Sequence, residues 1–392
     1  MRTIVISGAK VFIEGKFVSC DVLIKGSKIA EIGKSLKGEK KVDGKGLLLL
    51  PGLVDPHVHL REPGAEYKED FKTGSHAALA GGFTTIMDMP NNNPPTTTFI
   101  RLEEKKQLAK KAACDIRFHF GGTDDNFPEV RKVNPKSLKI YLGLTTGEFF
   151  LKRPDSLEKH FENIYPDSVL FFHASGNGPE EQALEETFAN IDRVRKLSDQ
   201  YMRKFHIAHA SCGKEVELAK HSERATVEAA PHHLFLNSKD AKKLGSRGSV
   251  YPELRSEKLR KSLWKQFSNI DCIGSDHAPH TLEDKEEGAH GFPGLETTLS
   301  LMLDACSKKL LKLEDVIPMM SSRPAEIFAL ENVGEIKVGG FADLVLVDLK
   351  KEWTVKGEEL QTKCKWSPYE GRKLKGKVHS VFYRGRLVYE DD

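Results

Sequence analysis

His57 and His59 stand two residues apart in the run Pro51-Gly-Leu-Val-Asp-Pro-His57-Val-His59-Leu-Arg61-Glu-Pro-Gly64. Side chains at i and i+2 of a strand point the same way, so an extended H-x-H step puts two imidazoles on one side. Neutral imidazole is the commonest side-chain ligand for zinc. A bare H-x-H is more often a pair of histidines in an edge strand or turn. Here Arg61 follows on the same parity, and Pro-Gly ends the element at once. A metal pair beside a fixed guanidinium suits the binding and hydrolysis of an anionic substrate. That reading requires further ligands downstream.

The elements that would carry them alternate. Eight apolar runs, at 48–59, 83–89, 115–121, 138–142, 168–174, 205–210, 225–230 and 270–276, are separated by helix-like stretches such as 100–113, 180–202, 213–221 and 258–267. Such alternation argues for βαβ units and a parallel sheet, and eight units predict an α/β fold of the (β/α)8 TIM-like barrel type. A doubly wound open sheet is the alternative, but no G-x-G-x-x-G follows the first strand. Short strands with Gly turns occupy the first 50 residues and recur at 342–348 and 378–388. Neither set is large enough for a good core alone. The expectation is a composite small β-sandwich domain from 1–50 and 335–392, with the barrel, 51–334, inserted between them.

In a barrel, functional residues sit at the C-terminal ends of the strands. Run one ends in His57 and His59, run two in Asp88-Met-Pro-Asn91, run five holds His173, run six His209, and run eight ends in Asp276-His-Ala-Pro-His280. A lone strand-end histidine is more often structural, but six ligand-type residues in consistent positions reverse that prior. The sixth is Lys139, inside the apolar run Ser137-Leu-Lys-Ile-Tyr-Leu142. Lysine is almost never fully buried unless paired. It either snorkels from a strand end or has captured carbon dioxide as a carbamate, an anion able to bridge two zinc ions.

Composition narrows the rest. With 392 residues, a net charge of +3 and 30% charged residues, the chain has no footprint of a nucleic-acid binder. No signal-peptide core or membrane-length apolar run is present, so a cytoplasmic protein that binds neither membrane nor nucleic acid is expected. Cys20, Cys114, Cys212, Cys272, Cys306 and Cys364 lack C-x-x-C spacing and read as small buried thiols. Abundant Lys and Glu with scarce Gln hint at a thermophilic source.

His57-Val-His59-Leu-Arg61-Glu-Pro-Gly64 together with Gly274-Ser-Asp276-His-Ala-Pro-His280 resembles the dihydroorotases of the amidohydrolase superfamily. Met89-Pro-Asn91, Leu138-Lys139-Ile-Tyr141, His206-Ile-Ala-His209, Ala230-Pro-His-His-Leu234 and Gly291-Phe-Pro-Gly-Leu-Glu296 extend the likeness over nearly the whole chain. The resemblance implies two zinc ions, one on His57 and His59, one on His173 and His209, bridged by carboxylated Lys139. It makes Asp276 both ligand and general acid/base, and gives the substrate carboxylate to Arg61, Asn91 and His280, with backbone near His290 and Gly291. Thr145 and Thr146 are candidate lid residues. His206, His232 and His233 are not carried over as ligands. The implied reaction is reversible cyclisation of N-carbamoyl-L-aspartate to dihydroorotate in pyrimidine biosynthesis. Homo-oligomerisation and association with another pyrimidine-pathway enzyme both stay open. The chain departs from the pattern at Tyr251-Pro-Glu253, where many relatives have Asn-Pro-Pro, and at His173-Ala-Ser-Gly, where His-Ala-Glu is more frequent. The rivals are another cyclic-amide hydrolase, such as a dihydropyrimidinase, hydantoinase or allantoinase, which need not keep Arg61, Asn91 and His280 together, and a non-catalytic homologue, which would have lost a ligand.

Overall fold

The structure is a computed structural model, and it describes residues 3–144 and 149–391. Its central strands are Leu53–Val58, Phe83–Asp88, Asp115–Phe118 with its continuation Phe120–Gly121, Ser137–Tyr141, Val169–His173, Lys204–Ile207, Ala225–Ala229 and Cys272–Ile273. Each pairs in parallel with the next. The third is broken at His119, so that its first part pairs backwards and its second part forwards. A parallel bridge from Val58 to His277 joins the end of the series to its start, and His59 N donates to His277 O at 2.8 Å. Parallel pairing therefore runs round a closed ring. Strands buried on both faces read as continuous apolar segments, as residues 169–172 do; Val169–His173 and Ser137–Tyr141 are buried throughout.

Parallel strands need long crossovers, and helices supply them. The first, Phe71–Ala80, starts where the Asp70 carboxylate accepts from Thr73 N while the Thr73 hydroxyl turns back to the Asp70 backbone. That reciprocal cap satisfies two otherwise unpaired amides. The expected stretch 180–202 is the helix Glu180–Tyr201, closed by Met202 in the left-handed conformation.

The single strand expected over 48–59 is divided. Leu48–Pro51 turns away at Gly52 and pairs antiparallel with Leu344–Val347 and parallel with Lys10 and Val11. A side chain at position 52 would run into Thr84, which explains a glycine at the divergence. The sheet so formed has six strands, running from Arg386–Glu390 through Lys373–Tyr383, Leu344–Thr354, Leu48–Pro51 and Lys10–Ile13 to Lys16–Ser19. Both ends of the chain therefore share one sheet. A four-stranded sheet of Lys28–Gly33, Asp21–Lys25, Thr3–Ser7 and Lys40–Asp43 faces it, and Val11, Ile24, Leu49, Leu344 and Phe382 pack between them.

No helix among the described residues is long and apolar enough to cross a membrane. The six cysteines are unpaired; Cys114, Cys212 and Cys272 are buried as expected, whereas Cys20, Cys306 and Cys364 are half-buried.

Candidate metal centre

The C-terminal ends of the ring strands bring the expected ligands together. The His57 and His59 rings lie 5.4 Å apart, His57 and His209 5.3 Å, and His173 and His209 4.8 Å, centroid to centroid. His57 Nδ1 donates to Glu228 Oε1 at 2.7 Å, and His59 Nδ1 donates to Asn91 Oδ1 at 2.8 Å. In the neutral rings each Nε2 is thereby left as a lone pair. Those lone pairs sit 3.4 Å and 3.3 Å from the same Asp276 oxygen. Three acceptors facing one another in a buried space repel unless a cation lies between them.

On the other side, His173 Nδ1 and His209 Nε2 are 2.9 Å apart. His173 Nε2, His209 Nδ1 and Lys139 Nζ are buried with no hydrogen-bond partner among the described residues. Lys139 sits on the fourth ring strand, fully buried, its Nζ 3.9 Å from the centre of the Phe171 ring. Burial lowers its ammonium to about 7, against the opposing pull of Glu228 and Asp276. Burial likewise lowers His59 to about 4 and His173 to about 3, so both are neutral imidazoles at physiological pH. Burial would raise Asp276, but positive charge at His57 and His59 outweighs it and holds the carboxyl below its usual range, a pull that a cation bound between them would also exert. Orphaned nitrogens and converging lone pairs fit a divalent-cation centre, and the donor set of imidazole and carboxylate is that of zinc.

Arg61, Asp276 and His209 have positive φ values of 64°, 49° and 31°. A non-glycine residue in that region costs about 1–3 kcal/mol, and such residues cluster at functional sites.

Arg61 borders the histidines. It is buried; its Nε donates to Pro279 O at 3.0 Å and its Nη2 lies 2.9 Å from His280 Nε2. Lys68 Nζ is 3.2 Å from His280 Nδ1. Burial and the cations Arg61, Lys68 and Lys285 hold His280 far below the usual imidazole range, hence neutral. Gly291, at φ +144°, and His290 line the same recess, where Tyr251 stacks on His290 at 3.8 Å with ring planes 8° apart. The recess holds about 30 Å³, room for a water or two but not for a six-membered ring. Two wider cavities, about 910 and 940 Å³, share Tyr383 and Arg384 of the terminal sheet and contain none of the strand-end ligands. The site is the small recess, because that is where the ligand-type residues converge.

Thr145 and Thr146 lie outside the described residues. His232 Nε2 stands 3.8 Å from Asp276 Oδ2, behind the centre, and His206 lies beneath it against Glu228. Sequence reasoning missed three residues. Glu228 orients His57; its signal was a glutamate inside the apolar run 225–230, the same anomaly that singled out Lys139. Lys68 faces His280, and Lys285 donates to Ser249 O, Ala289 O and Gly291 O at 2.6, 2.8 and 3.2 Å. Neither stands out in its charged surroundings.

Comparison with known proteins agrees with this geometry. Residues 48–388 match the amidohydrolase family. The chain is 39% identical over 391 residues to a dihydroorotase of Pyrococcus horikoshii, spanning 96% of this chain and 91% of that protein. It is 36% identical over 358 residues to the multifunctional protein CAD of Squalus acanthias, spanning 88% of this chain and 15% of that protein. Among solved structures, the L-hydantoinase (dihydropyrimidinase) from Arthrobacter aurescens superposes with a TM-score of 0.94 at 28% identity, covering 100% of this chain and 96% of that one. A family match over most of the length, with near full-length relatives, establishes that this chain belongs to the amidohydrolase family.

Proposed function

We propose that this protein is a dihydroorotase, closing N-carbamoyl-L-aspartate to dihydroorotate and opening it again, in pyrimidine biosynthesis. The observation that carries the proposal is the Arg61–His280 contact at 2.9 Å beside the histidine cluster. It sets a buried guanidinium, able to grip a carboxylate in a bidentate way, next to a hydrolytic centre. Similarity to the Pyrococcus dihydroorotase supports the same substrate class. We read the parallel ring as a (β/α)8 barrel spanning 51–334, and the two facing terminal sheets as a β-sandwich domain formed by 1–50 and 335–392.

His57, His59 and Asp276 would hold one zinc, His173 and His209 a second, with carboxylated Lys139 between them. Its lowered ammonium suits carbamate formation, because carbon dioxide adds only to a neutral amine. When bound, the two ions supply an ionisable water at neutral pH and a Lewis acid for the amide carbonyl. Asp276, held as a carboxylate, takes the proton of the attacking water and delivers it to the departing amide nitrogen. Arg61 and His280, with the Asn91 amide and the backbone at His290 and Gly291, fix the substrate carboxylate and so the ring amide. The recess, at about 30 Å³, has to widen to admit the substrate ring.

A second reading is a hydantoinase-type amidase, favoured by the close superposition on the Arthrobacter enzyme. Such an enzyme has no need of Arg61 and His280 as carboxylate partners. The test is metal analysis with turnover of dihydroorotate, hydantoin and allantoin side by side. Preference for dihydroorotate by at least about 100-fold is expected; preference for hydantoin would transfer the assignment.

A further inference from the structure

Beneath the centre, inside the ring, His206, Glu228 and Cys272 form a second cluster. His206 Nε2, a Glu228 carboxylate oxygen and Cys272 Sγ all lie within 4.8 Å of one another, and all three residues are buried. His206 Nε2 is 3.7 Å from Glu228 Oε2 and 4.0 Å from Cys272 Sγ.

The hydrogen bonding around the cluster decides what those atoms are. The Thr226 hydroxyl donates to Phe205 O at 3.3 Å, so its oxygen accepts from His206 Nδ1, 2.7 Å away. The His206 proton is therefore on Nδ1, and Nε2 turns a lone pair into the cluster. Glu228 Oε1 is occupied, accepting from His57 Nδ1 at 2.7 Å and from His209 N at 3.1 Å. Glu228 Oε2 is buried without a hydrogen-bond partner among the described residues. The Cys272 thiol can donate to the His206 lone pair only at the long distance of 4.0 Å, and Glu228 Oε2 faces that lone pair at 3.7 Å without a donor among the described residues, an arrangement that a cation would relieve. Gly274 leaves room for that carboxylate: a Cβ there would meet Glu228 Cδ and Oε2, each at 2.5 Å.

From this juxtaposition we propose that His206, Glu228 and Cys272 bind a further zinc-class divalent cation, distinct from the histidine–lysine centre above. Zinc bonds of about 2.0–2.3 Å to nitrogen, oxygen and sulfur place ligand atoms within roughly 4 Å of one another, so the pairs at 3.7 and 4.0 Å contract by tenths of an ångström and the third, within 4.8 Å, by about an ångström at most. Binding would release the Cys272 thiol proton to solvent, since burial keeps the metal-free thiol protonated, and thiolate, carboxylate and one divalent ion then sum to zero charge, which suits a buried site. Glu228 then joins the two sites, one oxygen on His57 and the other on the lower ion.

Cobalt distinguishes the sites, because no cysteine lies among the upper ligands. Protein produced in cells supplied with cobalt in place of zinc acquires its ions during folding. The expected result is a near-ultraviolet sulfur-to-cobalt charge-transfer band and one more cobalt per chain than the upper centre holds. Cys272→Ser and Cys272→Ala should each abolish the band and lose one cobalt, while Cys212→Ser keeps both. Absence of the band in the unsubstituted protein, or its survival in a folded Cys272 variant, overturns the proposal. The band is read without substrate, so the outcome is independent of which cyclic amide the enzyme hydrolyses.

Discussion

Asn91 Oδ1 accepts a hydrogen bond from His59 Nδ1 at 2.8 Å, so a residue proposed to touch substrate also orients a proposed metal ligand. The two roles separate by substitution. Asn91→Ala removes the acceptor and should weaken metal binding about 10–100-fold, the usual effect of losing a partner behind a ligand. Asn91→Asp keeps an acceptor and should hold metal, yet raise KM by setting a negative charge against the substrate carboxylate. Metal titration of both variants checks this. Unchanged metal affinity in Asn91→Ala would remove the orienting role.

Arg61→Lys tests the carboxylate grip. Arg61 spends Nε on Pro279 O and Nη2 on His280, a fork that a lysine ammonium cannot reproduce. The expected loss in kcat/KM for dihydroorotate is about 100-fold, equivalent to about 2.7 kcal/mol, with metal content preserved. Near-normal turnover would refute the assignment.

Asp276→Asn tests the proton shuttle. The amide keeps the shape but cannot take up a proton, so turnover should fall by at least about 10²-fold in both directions. Asp276 and the ion-activated water titrate as one coupled unit, so the acid limb of the rate profile belongs to the pair. Retention of most activity would require another base, with His232, 3.8 Å from Asp276 Oδ2, a nearby alternative.

Much of this site was legible because ligand chemistry leaves anomalies in apolar strands. Lys139 and the H-x-H step are polar groups where the ring demands apolar ones, and Glu228 carried the same signal unread. Other parts had no local signature. Leu48–Pro51 and Leu53–Val58 read as one run because both are apolar, and only pairing with the distant Leu344–Val347 separates them. Lys105 lies in a helix among other charged residues, which gives no sequence sign of a core role, yet it is fully buried with Nζ 2.6 Å from Asp88 Oδ2. Asp88 Oδ1 in turn accepts from Leu60 N at 2.7 Å, holding the segment between His59 and Arg61. Such partners are set by tertiary packing alone.

Lys139→Ala should lose metal as well as activity if the buried amine is the proposed carbamate bridge. A bare ammonium there would repel two divalent ions. Lys139→Arg should not rescue, since a guanidinium stays cationic, whereas a short carboxylic acid added to Lys139→Ala should restore part of the metal binding. Reconstitution of metal-free protein with zinc should depend on bicarbonate. Full two-metal loading of Lys139→Ala would end the bridging proposal.

Lys285 gives a stability prediction with a defined sign. Burial, helped by Arg61, lowers its ammonium to about 7 from an ordinary 10.5. Below pH 7 the folded and unfolded chains both bind the proton, and the full cost of burying the charge is present. Between about 7 and 10.5 the unfolded chain still holds the proton and the folded chain sheds it. The Lys285 contribution to stability therefore rises with pH there, by at most about 1.36 kcal/mol per pH unit. Lys285→Met removes that titration, so the stability of the unsubstituted protein minus that of the variant should climb from pH 7 to pH 10 in urea unfolding. Taking the difference cancels Lys139, which titrates in the same range. The variant also loses the donor that ties Ser249, Ala289 and Gly291 together, so KM should rise while metal content stays constant. Parallel stability curves across that range would show that Lys285 keeps its proton in the folded protein.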